Sequence, residues 1–314
     1  MQLVHDDRLR WLLRTAAFLH EAGAEPVSGL VLPNGSFFPD RFDGSPPSVQ
    51  RLLQRTLDHA GLGGIHVAVQ VVMPDGEAVG GCQSGGCSAP VLKALARRRV
   101  VPLGDGGGYA VVVSSGELAH PTALMTGLVR AASLIFLAEA ELDDEVEPQE
   151  REGFIDVAGV FLGFGVLLAN GSHISQKGCS GVTVQRATAL SVQELVVALG
   201  LACKVHSLSP KEAKTELDPE PRRLFDAAVS WVAANGAVVD WIATNREALD
   251  AGRFRLVEPG GFLSRVFGGG STAGAPPSDA EILRLASGGN VPRERSEKAR
   301  RMAALRELVD ETLD

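Results

Sequence analysis

The chain is short of cysteine and of aromatic residues, has no excess of positive charge, and contains no uninterrupted apolar run long enough for a membrane span. Each shortage removes a class of protein. Four cysteines in 314 residues (Cys82, Cys87, Cys179 and Cys203) do not make a disulfide framework. Phe, Trp and Tyr together are 5% of the chain, so the core must be built mainly from Ala, Leu and Val. Acidic residues outnumber basic ones, 38 to 30, for a net charge of −8. A nucleic-acid-binding surface needs the opposite balance. The basic clusters Arg97-Arg98-Arg99 and Arg293 to Arg301 read as solvated faces. Of the apolar runs, Ala123–Ala140 is broken by Arg130, and Val157–Ala169 is only 13 residues long and follows Asp156. A span needs about 20 residues, so both read as buried core helices. Asp6 and Asp7 stand where a secretory leader would carry basic residues. The expectation is a cytoplasmic protein without a membrane span.

What is present is a sizeable core. Apolar residues make up 45% of the chain and charged residues 22%, which excludes wholesale disorder. Leu9, Leu12, Leu13, Ala16, Ala17 and Leu19 recur at helical spacing over Arg8–Ala22, with Gly23 as a stop. Ser48 is a candidate N-cap for a helix through Ala60. Ile65–Val72 and Ala110–Ser114 are β-branched and read as strands. From Pro121 the pattern turns helical, over 121–141, 152–170, 189–207 and 220–247, with an acidic loop between Glu141 and Glu150. The fold class that follows is α+β: a small mixed sheet in a half spanning about 1–120, and a helical half at about 121–266. A Gly/Pro linker at 267–278 then leads to a short helical tail, 279–314.

Most chemical motifs are missing. Cys82 and Cys87 lie in a Gly-rich loop with four residues between them, wider than the usual metal-ligand spacing, and no second pair accompanies them. They remain possible redox or metal thiols. No Lys-Ser/Thr follows the glycines, so the loop is not a phosphate cradle. No Gly-x-Ser-x-Gly elbow occurs, and no two of the seven histidines are four residues apart. Glu117 and His120 form the one Glu-x-x-His, which reads as the start of the helix at Pro121.

The informative constellation is the pair of apolar helices. The first runs from Leu124 through Arg130 to Leu137. The second opens with Glu152 and Asp156, one turn apart on one face, and continues into Phe161-Leu-Gly-Phe-Gly-Val-Leu-Leu-Ala-Asn170. This layout resembles the bacterial zincin-like metallopeptidases, and the similarity runs from about Phe37 to Trp241. In that group an apolar helix carries His-Glu-x-x-His, an acidic loop follows, and a second helix supplies Glu-x-x-x-Asp. The resemblance implies a zincin-like fold over 1–266. It also implies that Glu152 stands where a zinc ligand would be, and Asp156 where a carboxylate would orient a ligand histidine.

The first helix departs from the family. Its histidine positions hold Val129 and Ser133, and the catalytic Glu position holds Arg130. A valine cannot ligate zinc, and an arginine cannot take a proton from water. The expectation is a pseudoenzyme with no metal and no cofactor. Arg130 would replace the cation as counter-ion to Glu152 and Asp156, and the scaffold would bind a protein or peptide. The alternative is a metal-dependent hydrolase with relocated ligands, using His120, His173 or His206 with Glu152.

Overall fold

The computed structural model describes residues 4–72, 99–103, 107–142, 145–178 and 181–258. The expected linker at 267–278, the tail at 279–314, and Cys82 and Cys87 lie outside the described residues.

Helix α1 (Asp6–Glu21) buries the periodic stripe of Leu9, Leu12, Leu13, Ala16, Ala17 and Leu19. It stops where Gly23 takes a positive φ of 89°. Helix α2 (Pro46–His59) begins earlier than Ser48 suggests. Ser45 is the N-cap, its hydroxyl accepting from the Ser48 amide, and Pro46 occupies the first turn, where its missing N–H costs nothing. Strands β1 (Val67–Val72), β2 (Val100–Pro102) and β3 (Tyr109–Ser114) form a mixed sheet in the order β1-β3-β2. β1 runs parallel to β3 with Val67 opposite Tyr109, and β2 runs antiparallel with Val100 opposite Val111. Gln50 of α2 closes part of the other edge of β1. Its amide donates to the Val67 carbonyl and accepts from the Val69 N–H, both at 2.8 Å, as a neighbouring strand would.

The helical part packs onto the same continuous core, which runs from Leu9 to Phe254. Helix α3 is Pro121–Glu139. The expected second helix is broken into α4 (Arg151–Gly159), a kinked turn (Val160–Phe164) and α5 (Gly165–Gly171). The turn centres on Gly163, whose φ is 100° and whose carbonyl accepts from the Val31 N–H at 3.0 Å. A Cβ there would sit 2.5 Å from the Gly29 carbonyl oxygen. Then come α6 (Val192–Val205), α7 (Pro210–Glu216), α8 (Pro219–Ala234), α9 (Gly236–Thr244) and α10 (Arg246–Asp250). The single helix expected over 220–247 is thus three. Asn235 and Asn245 turn the chain between them, the first by donating to the Trp231 and Val257 carbonyls, the second by accepting from the Ala248 amide.

The α+β class holds, with the three-stranded sheet within residues 67–114 and mostly helices from Pro121 onward. A hairpin of β4 (Ile174–Gly178) and β5 (Gly181–Gln185) lies within the helical part. The runs Pro121–Glu139 and Arg151–Gly171 are each long and apolar enough by composition to cross a membrane. Inside this fold 72% and 94% of their apolar windows are buried.

Candidate functional site

Helices α3 and α4 bring Arg130, Glu152 and Asp156 together. The Arg130 guanidinium donates from Nη1 to Asp156 and from Nη2 to Glu152, the latter at 2.5 Å. The two carboxylates are not equivalent. The Asp156 side chain has no exposure and that of Glu152 is 44% exposed, with Arg130 at 6% between them. The second oxygen of Asp156 accepts from the Ala189 and Leu190 N–H groups at 2.7 and 2.8 Å, where the chain enters α6. Burial pushes the Asp156 carboxyl up, while Arg130 and the two backbone amides pull it back. Its two oxygens meet only donors among the described residues, which is the surrounding of a carboxylate. Glu152 closes the cluster at its wet rim.

Val129 and Ser133 do not converge on that point. Both are fully buried against Gly159, a turn beyond Asp156 on α4. A Cβ on Gly159 would be 2.8 Å from Ser133 Oγ and 3.2 Å from Val129 Cγ1. The Ser133 hydroxyl is used within its own helix, donating to the Val129 carbonyl at 3.0 Å. Helix-on-helix contact therefore fills the region where two imidazoles would need to stand.

The histidines of the alternative reading have separate surroundings. His120 is the N-cap residue of α3. His173 follows α5 and adds to the effect of Arg223 in holding the Glu220 carboxyl low. His206 ends α6 with its ring 5.6 Å from that of His20 and 5.5 Å from that of Phe161. Among the described residues, no three His, Cys, Asp or Glu side chains are placed to hold a metal ion.

His206 has an acid-stability consequence. Burial, then the neighbouring His20, pushes its pKa down to about 4 from an ordinary 6.5. The folded state thus favours the neutral ring. The stability this confers is complete above pH 6.5 and is lost as pH falls from there through 4. On lowering the pH from 7 to 4.5 at fixed temperature, the loss attributable to this ring should be about 2 kcal/mol. Urea midpoints for the native chain and for His206→Leu should diverge over that interval, the variant losing less; parallel curves would remove His206 as the cause.

Two features escaped the sequence reading. Arg99, grouped there with a solvated face, is buried and pairs with Glu117. The second Glu117 oxygen accepts from the Ser114 N–H at 2.9 Å, so Glu117 both caps a 3-10 turn and holds the arginine. Among the described residues Arg99 Nη1 has no hydrogen-bond partner. The guanidinium lies on Gly127 of α3, where a Cβ would come within 2.5 Å of Arg99 Cζ.

The other feature is an open cleft of about 730 Å³ between the 33–42 loop, Leu52 of α2, the first turn of α3, α5 and the α7–α8 junction. Phe38, Phe42, Met125 and Leu167 line its apolar part, and Glu216, Asp218 and Arg222 stand on one wall. Asn170 of α5 fixes that wall, donating to the Glu216 carbonyl at 3.0 Å and accepting from the Asp218 N–H at 2.8 Å. Its size suits a ligand site. The 33–42 loop carries Phe37, Phe38 and Pro39 in a row, and nothing in that local pattern marks a cleft. No protein-family model matches this chain, and neither a curated protein nor a solved structure is detectably similar to it.

Proposed function

We propose that the chain is a metal-free, non-catalytic scaffold of the zincin-like kind, in which Arg130 holds the place of the divalent cation and the open cleft receives a peptide segment of a protein partner. The observation that carries this reading is the Arg130 guanidinium bonded to both Glu152 and Asp156. A cation between two carboxylates satisfies the charge that a metal would, and a guanidinium cannot serve as a general base. The separate surroundings of His120, His173 and His206 give the relocated-ligand hydrolase no support. The reading places the protein in the cytoplasm, where thiols remain reduced. The buried Cys203 thiol, pushed up to about 12 by burial, would be inert there.

Elemental analysis of the purified protein tests the metal. Zinc should be far below stoichiometric and unchanged by Glu152→Ala. Near-stoichiometric zinc that disappears in that variant would overturn the scaffold reading.

A further inference from the structure

The cleft has an apolar floor and carries acidic groups that the fold itself does not neutralise. Asp40, Glu216, Asp218 and Arg222 are its charged lining residues. Asp40 is paired with Arg55 at 2.9 Å, and Arg222 donates to the Thr215 carbonyl at 2.9 Å. Of the nearby cations, Lys214 is paired with Asp226 at 2.7 Å and Arg223 with Glu220 at 2.6 Å. Among the described residues, no ion pair within 4 Å engages Glu216 or Asp218.

The local sequence accounts for both. Asp218 is the N-cap of α8, where an aspartate ordinarily accepts from the amide two or three residues ahead. Pro221, three residues ahead, has no N–H to give, and Asp218 makes no cap bond. Glu216 is the last residue of α7, at the end of a helix that favours a cation over a carboxylate. Leu217 between them is fully buried. Asn170 holds the flanking backbone through the Glu216 carbonyl and the Asp218 N–H. The two carboxylates therefore stand on a wall already fixed, which a ligand does not have to order.

Floor and wall demand different chemistry of one occupant. Phe38, Phe42, Met125 and Leu167 call for apolar side chains, whereas an acidic ligand would meet Glu216 and Asp218 as like charges. A purely apolar ligand would strip water from both carboxylates and leave them unpaired. Lysine and arginine meet both demands, since their methylene stems lie on apolar surface while the cationic head stays at the wet edge. We infer that the peptide received by the cleft carries a lysine or arginine directly beside apolar side chains, its cation at Glu216 and Asp218 and its neighbours on the floor. The inference rests on the peptide-binding reading given above and names the chemistry of the segment that enters.

The test selects binders to the immobilised full chain from a phage-displayed library of random short peptides, then measures each enriched peptide in solution by fluorescence anisotropy. Met125→Trp obstructs the floor, and Thr122→Trp, at an exposed position of the lining, is a second obstruction should the first disturb folding. A native-like melting transition qualifies every variant. Enriched peptides should carry Lys or Arg next to Phe, Leu or Met, and should lose binding in the obstructed chains. Glu216→Lys with Asp218→Lys should weaken them about tenfold, since each reversal removes an attraction and adds a repulsion. Asp7→Lys with Glu258→Lys makes the same change in net charge away from the lining, and should weaken them less than about twofold. Obstruction-sensitive peptides without a basic residue would overturn the inference and leave the peptide-binding reading standing. So would basic peptides that the two double reversals weaken equally. Finding no peptide whose binding either tryptophan blocks would overturn the peptide-binding reading, and the inference with it.

Discussion

Arg130→Met should destabilise the protein by about 3–5 kcal/mol, because it strands Asp156 as an unpaired charge with no access to water. Methionine keeps most of the side-chain volume, so the loss is electrostatic rather than a cavity effect. Asp156→Asn alone should also be costly: the Ala189 and Leu190 amides claim its one oxygen, which turns its NH2 against the guanidinium, donor to donor, and leaves Arg130 only the half-exposed Glu152. Together the two should cost much less than their sum. The asparagine oxygen can keep the Ala189 and Leu190 amides that now bond one Asp156 oxygen, and no buried charge is left. The coupling between positions 130 and 156 should therefore exceed about 2 kcal/mol in a double-mutant cycle, against about 1 or less between 130 and 152, whose partner is half in solvent. Additive losses at 130 and 156, measured by urea unfolding, would mean that the charge substitution does not hold the helix pair together.

Gly127→Ala should reverse the usual sign of its class. Within a helix, replacing glycine by alanine ordinarily stabilises by about 1 kcal/mol. Here the new methyl would fall on the Arg99 guanidinium. An arginine end can move, but this one is buried and bonded to a carboxylate that is itself buried. Displacing it leaves Glu117 without its cation, and the net effect should be a loss of about 2–3 kcal/mol. The same substitution in a chain already carrying Arg99→Met and Glu117→Gln should be close to neutral. A Gly127→Ala chain that melts higher than the native one would show that the guanidinium has somewhere else to go.

These two sites differ in how far they could be read from sequence. Arg130 interrupts an apolar run, and Glu152 and Asp156 sit one turn apart on a helix predicted to lie beside it. The zincin-like resemblance implied that the two helices face each other at these positions, and the cost of a buried charge then pointed to Arg130 as the partner. Periodicity did not reveal that Asp156 is the deep partner and Glu152 the rim, because that depends on where the 188–190 backbone passes. Arg99 was opaque for another reason. A run of three arginines resembles a solvated face, and only the crossing of β2 over α3 at a glycine puts the third of them inside. The alternation that marks strands was legible in Val67–Val72, with both faces partly packed. It was not in Val100–Pro102, which is too short to show a period and ends in proline. The cleft joins five segments, the 33–42 loop, Leu52 of α2, the start of α3, α5 and the 215–222 stretch, and nothing local in any of them announces the others.

The break at Gly163 has a wider meaning for how one stretch of chain serves two places. A residue with a φ of 100° cannot continue a right-handed helix, so the chain kinks there and α5 starts in its own direction. Before the break, Glu152 and Asp156 bond Arg130; after it, Leu167 and Asn170 line the cleft. In an unbroken helix the facing of the second pair would be dictated by that of the first, through one fixed step of about 100° per residue. Gly163 removes that constraint, and the ion cluster and the cleft are each served by a helix with its own orientation.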